Sequence, residues 1–323
     1  MSRNYGVGSR DMLSAAHIVL HQGVQRGELS FSSAATIEDR FRILVTELKK
    51  VGIGRLENVT HEIIVRFGQG LADDVENGEM SAAYAQNIVS AANTVMHRIT
   101  QGEWKSVSPT KECLISQRSL VRKKAPTGLN IEQFKSAIEA AEKNGWHRGA
   151  AIACLAKEFG LRTKEGALLD ANKAFQEAKK NGHISVTVGT KGGRPRKVPI
   201  TLSSQMETLQ KAAAIQGDHY SMIPAQMTWA QFRAGELRDT RELLQRYGIT
   251  RLHELRAVYA CQRYEALSGN PPPVLGGTTE RELDNAVRLQ IAEELGHGRA
   301  EVTNSYVGGQ HRGCSAGSKA TGA

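Results

Sequence analysis

The chain of 323 residues is poor in aromatic side chains, which make up 5% of it, and in cysteine, of which there are four. Cys113, Cys154, Cys261 and Cys314 show no C-x-x-C spacing, so the sequence predicts reduced thiols and no metal site. No run of about eighteen apolar residues occurs, and no N-terminal segment has the charged-then-apolar order of a secretory leader. A soluble, cytoplasmic protein is expected, with no membrane partner. No internal repeat is visible. What is in excess is positive charge: 42 Lys and Arg against 33 Asp and Glu, a formal net charge of +9. Such a surplus points to a polyanion, and nucleic acid is the usual one.

The length suffices for two domains, each with its own core. In the first hundred residues, apolar side chains recur at three and four, as in Ile37, Phe41, Leu44, Val45 and Leu48. Helices are predicted over 9–25, 33–50, 60–76 and 81–99, with Asp11, Thr36, Thr60 and Ser81 near their starts and Gly52 and Gly78 near stops. A four-helix domain over 1–105 follows. Between 106 and 126 the periodicity lapses, and Lys111, Arg118, Arg122, Lys123 and Lys124 read as a basic linker suited to phosphate contact. A second domain, 127–310, opens at Asn130, an N-cap with Gln133 three residues on. The remainder, 311–323, rich in Gly, Ser and Ala, reads as a flexible tail.

The second domain carries polar residues in telling positions. A helix of small and apolar residues up to Phe159 is stopped by Gly160, so Arg162 lies just past a helix end, with Glu165 three residues on. Residues 184–188 and 196–200 alternate like two strands around Gly189, Gly192 and Gly193, and Lys191 rides on the turn. Arg194, Arg196 and Lys197 flank it as further candidate DNA contacts. His253 and Arg256 share one face of a helix. His297 follows Leu295-Gly296, and Tyr306 comes nine residues later. Tyr306 is flanked by Ser305 and by Val307-Gly308-Gly309, a poor setting for a core ring, whereas Tyr247, Tyr259 and Tyr264 read as helix interior. Taken together, these are cations to hold a pentacoordinate phosphate, a proton donor and a phenol nucleophile: the inventory for breaking a phosphodiester without metal.

In these residues the chain resembles the tyrosine recombinases, the phage-integrase family. Gly160-Leu161-Arg162 with Glu165 is similar to that family's first arginine box, His253-x-Leu255-Arg256 to its second, and Leu295-Gly296-His297 with Tyr306 to its third. Lys191, seven residues before Val198-Pro199-Ile200, is similar to its hairpin lysine. One departure is the stretch 270–294, longer than the family usually holds there, whose Pro-Gly run predicts an exposed surface insertion.

The resemblance implies a mainly α fold: an N-terminal four-helix core-binding domain and an α-rich catalytic domain with a small antiparallel sheet. It implies a site-specific recombinase, working without cofactor or metal on double-stranded DNA at attachment sites and self-associating there as a tetramer. Tyr306 is then the nucleophile, Arg162 and Arg256 grip the phosphate, and His297 donates a further hydrogen bond. His253 accepts or relays the phenol proton, Lys191 protonates the leaving 5′-oxygen, and Glu165 buttresses Arg162. Two other readings keep the same residues: a DNA-binding protein that has lost the chemistry, and a type IB topoisomerase that relaxes DNA as a monomer.

Overall fold

The computed structural model describes residues 3–310; the expected tail, 311–323, lies outside them. The chain forms two compact units, Met1–Ser119 and Leu120–Ala323. It is mainly helical, with one two-stranded sheet among the described residues.

The first unit is built from α1 (Met12–Gln25), α2 (Phe31–Lys50), α3 (His61–Glu76) and α4 (Ala82–Ile99). Each starts where a side-chain oxygen takes up orphan backbone N–H groups: Asp11 accepts from Leu13 and Ser14, Ser30 from Ser33, Thr60 from Ile63, and Ser81 from Tyr84. Thr36, expected near the start of the second helix, lies inside α2 and bonds back to the Ser32 carbonyl, because Ser30 caps first. The core contains Met12, Leu20, Phe41, Leu44, Ile64, Ile88 and Met96. Burying each such side chain stabilises the fold by roughly 1.5–3 kcal/mol.

The expected linker is not a free tether. Val107, Cys113 and Ile115 are buried in the core of the first unit. Asn93 pins this return: its Oδ1 accepts from Trp104 Nε1 and Val107 N, and its Nδ2 donates to the Val107 carbonyl. Gly68 makes room for it, since a Cβ there would fall 2.3 Å from Cys113 Sγ. From Leu120 onward the chain belongs to the second unit.

The second unit contains α5 (Ile131–Lys143), α6 (His147–Phe159), α7 (Thr163–Leu168), α8 (Ala171–Asn181), β1 (His183–Val186), β2 (Arg196–Pro199), α9 (Ser203–Gln216), α10 (Trp229–Ala234), α11 (Glu236–Arg246), α12 (Leu252–Ser268), α13 (Arg281–Glu294) and α14 (Asn304–Val307). Its central helix is α6, where Ala150, Ala151, Ala153 and Ala156 are buried. Those small side chains let α5, α9, α11 and α12 close in on it. β1 and β2 pair antiparallel with Ile184 opposite Val198 and Val186 opposite Arg196. Ile184, Val186 and Val198 are buried.

The stretch 270–294 is no surface insertion. Pro272 and Pro273 are buried, Val274 packs on the core, and α13 buries Val287, Ile291 and Ala292. The reason is topological: α13 ends at the turn that presents His297, so it has to lie on the core that carries the other site residues.

Candidate active site

Arg256 lies in α12, one turn from its start, and is fully buried. Its two terminal nitrogens donate to the backbone carbonyls of Gly160 and Leu295, tying together the ends of α6 and α13. Gly160 allows this approach. It stands at φ 60°, and a Cβ there would come within 2.7 Å of both Leu295 and Tyr259. Burial, followed by repulsion from Arg162 and Arg196, lowers the Arg256 pKa to about 10, although Tyr306 opposes the shift. The side chain remains a cation at neutral pH.

Tyr306 lies in the single turn of α14 and is 4% exposed, more enclosed than its Ser and Gly neighbours predict. Its ring belongs to the buried core of the second unit. The hydroxyl lies 3.2 Å from Arg256 Nε, which donates to it, and 3.1 Å from His297 Nε2. Its ring centroid is 5.6 Å from the Arg256 guanidinium, 5.6 Å from the His253 ring and 5.7 Å from the His297 ring. His297 follows α13, where its backbone N–H donates to the Ala292 carbonyl at 2.7 Å. Burial, then Arg256, Arg162, Arg196 and Lys191, pushes the His297 pKa down to about 4. Burial and Arg256 also lower that of His253. Both rings are therefore neutral at pH 7, and the cluster's positive charge rests on its arginines and Lys191.

Arg162 stands immediately before α7. Its Nη1 donates to Glu165 Oε1 at 2.7 Å, and its backbone N–H donates to Oε2 at 2.7 Å, so the carboxylate half of a capping box also orients the guanidinium. Glu165 is 1% exposed. Burial would raise its carboxyl, but hydrogen bonds and charge from Arg196 and Arg162 prevail and hold it at about 2. Lys191 is exposed in the hairpin turn and makes no hydrogen bond to the other five side chains, although its charge helps to lower the His297 pKa.

Several expected DNA contacts sit differently from one another. Arg194 and Lys197 are exposed, and the Arg194 guanidinium lies over Gly298, beside His297. Arg196 is corrected: it is buried, pairs with Glu165 through two bonds of 2.8 and 2.7 Å, and donates from Nε to the Glu294 carbonyl at 2.8 Å. The hairpin alternation already holds this signal, for Arg196 and Val198 share the inward face. Arg122 is likewise engaged, in an ion pair with Glu254 beside His253, and its backbone N–H donates to the Asn304 carbonyl at 2.8 Å. No sequence pattern marks that pairing. Lys111, Arg118, Lys123 and Lys124 remain exposed.

The family model described as Integrase matches residues 117–262, the stretch that holds Arg162, Lys191, His253 and Arg256 but stops before His297 and Tyr306. No curated protein matches the chain in sequence. Among solved structures, a lambda integrase dimer bound to a COC′ core site is similar, with 15% identity, 91% of this chain and 76% of that chain covered, and a TM-score of 0.56. The Tn1549 transposon integrase in complex with a circular intermediate DNA is similar at 14% identity, with 94% and 96% covered and a TM-score of 0.58. The XerH site-specific recombinase bound to a palindromic difH substrate is similar at 15% identity, with 96% and 94% covered and a TM-score of 0.55. The integrase model thus matches the stretch that holds the two arginine boxes, and the chain shares the fold of these integrase and recombinase structures over most of its length.

Proposed function

We propose that the protein is a site-specific DNA recombinase that cleaves and rejoins DNA through a 3′-phosphotyrosine, for the integration or excision of a mobile element. The observation that carries this reading is the Tyr306 hydroxyl, buried and held by Arg256 Nε and His297 Nε2. A phenol there faces the Arg256 guanidinium, a group suited to hold a scissile phosphate. Two backbone carbonyls and Glu165 fix the directions of Arg256 and Arg162, so little reorganisation is needed when charge builds on the phosphorane.

In the reaction Tyr306 Oη attacks phosphorus and the bond to the 5′-oxygen breaks. The phenol proton passes to His253, whose ring flanks that of Tyr306, while His297 Nε2 lies 3.1 Å from the hydroxyl and hydrogen-bonds there. Arg162 and Arg256 bind the non-bridging oxygens, and Lys191, on the exposed hairpin turn, delivers the proton to the departing 5′-oxygen. The phosphotyrosine retains the energy of the broken bond, so the reverse attack by a 5′-hydroxyl reseals DNA without ATP.

The partners are double-stranded attachment sites. Lambda integrase has been seen as a tetramer on a Holliday junction, and the same assembly is proposed here for strand exchange. No helix among the described residues is long and apolar enough to cross a membrane. Because the substrate is DNA, the cytoplasm is the compartment proposed for its action.

The test is a nicked suicide substrate carrying the attachment site. Wild type is expected to form a covalent adduct, in excess EDTA as well, while Tyr306→Phe forms none and binds the intact site nearly unchanged. Tyr259→Phe is expected to form the adduct. An adduct formed by the Tyr306→Phe variant, or relaxation of supercoils with no synapsis of two sites, overturns the assignment.

A further inference from the structure

The one-turn helix α14 cannot hold its own geometry, because a single turn fixes several backbone dihedrals for one hydrogen bond. Its anchor is Arg288, from the middle of α13. Arg288 Nη1 donates to Asn304 Oδ1 at 2.9 Å and to the Gly308 carbonyl at 3.0 Å, with Thr303 Oγ1 at 3.4 Å. These acceptors lie on both sides of Tyr306, so one nitrogen brackets the turn. Arg288 is itself oriented: its Nε lies 2.8 Å from each oxygen of Asp284, one turn earlier in α13. Asp284 in turn accepts from the Tyr264 hydroxyl at 2.6 Å. Arg288 is 5% and Asp284 6% exposed.

A buried ion pair is a weak device for stability, since desolvation offsets most of its attraction. Stability alone therefore does not account for an arginine whose hydrogen bonds beyond Asp284 all go to the segment around the nucleophile. We infer that Arg288, oriented by Asp284, is a positioning residue that fixes the Tyr306 turn so that the phenol points between Arg256 and His297. The inference rests on the proposed recombinase reading, because it assumes that Tyr306 attacks. Positioning has leverage here, for a displacement of about 1 Å at a reacting atom slows a reaction by on the order of a hundredfold.

Single-turnover adduct formation on the suicide substrate tests this, beside site affinity and thermal melting of the full-length protein. Arg288→Gln is expected to slow adduct formation at least tenfold with unchanged affinity. Val287→Ala, a buried neighbour on α13 that contacts none of residues 303–308 through hydrogen bonds, serves as the control for stability: it is expected to lower the melting temperature but leave the rate within twofold. Should Arg288→Gln not fold, Asn304→Ala removes one arm of the bracket from the half-buried side of α14, and slowing with unchanged affinity is again expected. A rate for Arg288→Gln or Asn304→Ala equal to that of Val287→Ala overturns the inference. Failure of wild type to form any adduct overturns the recombinase reading instead.

Discussion

Arg196 and Glu165 meet in parallel, two guanidinium nitrogens on two carboxylate oxygens at 2.8 and 2.7 Å, with both side chains almost free of solvent. This pair joins the hairpin to the start of α7, and through Glu165 it sets the direction of Arg162. Removing one member leaves a buried charge without its partner, which costs about 3–5 kcal/mol. Glu165→Gln is therefore expected to lower the unfolding free energy by that order in urea titration. Glu165→Gln combined with Arg196→Met is expected to recover much of it, because the only charge left unpaired, on Arg162, is partly exposed to solvent. A double variant as unstable as the single one would show that the pair is not the source of the loss. Neither variant should regain cleavage, since Arg162 has lost its orienting carboxylate.

Lys191 offers a chemically specific test. Under the role proposed for it, proton donor to the 5′-oxygen, its loss matters only while the leaving group needs a proton. Lys191→Ala is expected to cleave normal DNA at least about a hundredfold more slowly, at the lower end of what general acid catalysis contributes, and to recover on a substrate with bridging 5′-sulfur, a better leaving group. Equal defects on both substrates would assign Lys191 to DNA positioning and turn attention to Arg194, beside Gly298.

Acid should unfold the second unit in a way set by its site. Burial, then Arg256 and the other cations, hold His297 at about 4 against an ordinary value of 6.5. With the folded-state value below the unfolded one, the unfolded chain takes up the proton first as pH falls. The contribution is thus complete above 6.5 and is lost between about 6.5 and about 4. Glu165, held at about 2 against 4.5, loses its contribution in a lower window, between 4.5 and about 2. Melting temperature followed from pH 7.5 to 4.5 is expected to fall, and to fall less steeply for His297→Gln. Identical slopes for the two proteins would refute the assignment to His297.

The division of the chain before Leu120 sets where a catalytic fragment should begin. A start at Pro126 would discard Arg122, with its ion pair to Glu254 and its backbone bond to Asn304. A fragment from Leu120 keeps both and is expected to fold alone. It lacks the phosphate contacts expected of the first unit, so its site affinity should fall. Its log-affinity against log-salt slope should also become shallower, by roughly 0.9 for each contact removed. Tyrosine-dependent adduct should still form at high concentration and low salt. Full-length affinity and slope in this fragment would assign residues 1–119 to protein interaction instead of DNA binding.

The sequence alone determined what is local. Helices announce themselves through apolar spacing and through caps such as Asp11, Thr60, Ser81 and Asn130, because those interactions reach only three or four residues along the chain. The types and order of Arg162, Lys191, His253, Arg256, His297 and Tyr306 were equally legible, since their chemistry depends on side-chain identity. Tertiary structure decided what distant segments do to one another. Arg196 looks like any surface cation until the hairpin turns it onto Glu165, and Arg122 looks like linker until it meets Glu254, 132 residues away. Residues 270–294 carry the Pro and Gly of a loop, yet they become core because α13 has to deliver His297 to Tyr306. Burial of Tyr306 follows from the same packing: residues flanking it in the chain say little about which side chains close over it from α12 and the end of α13.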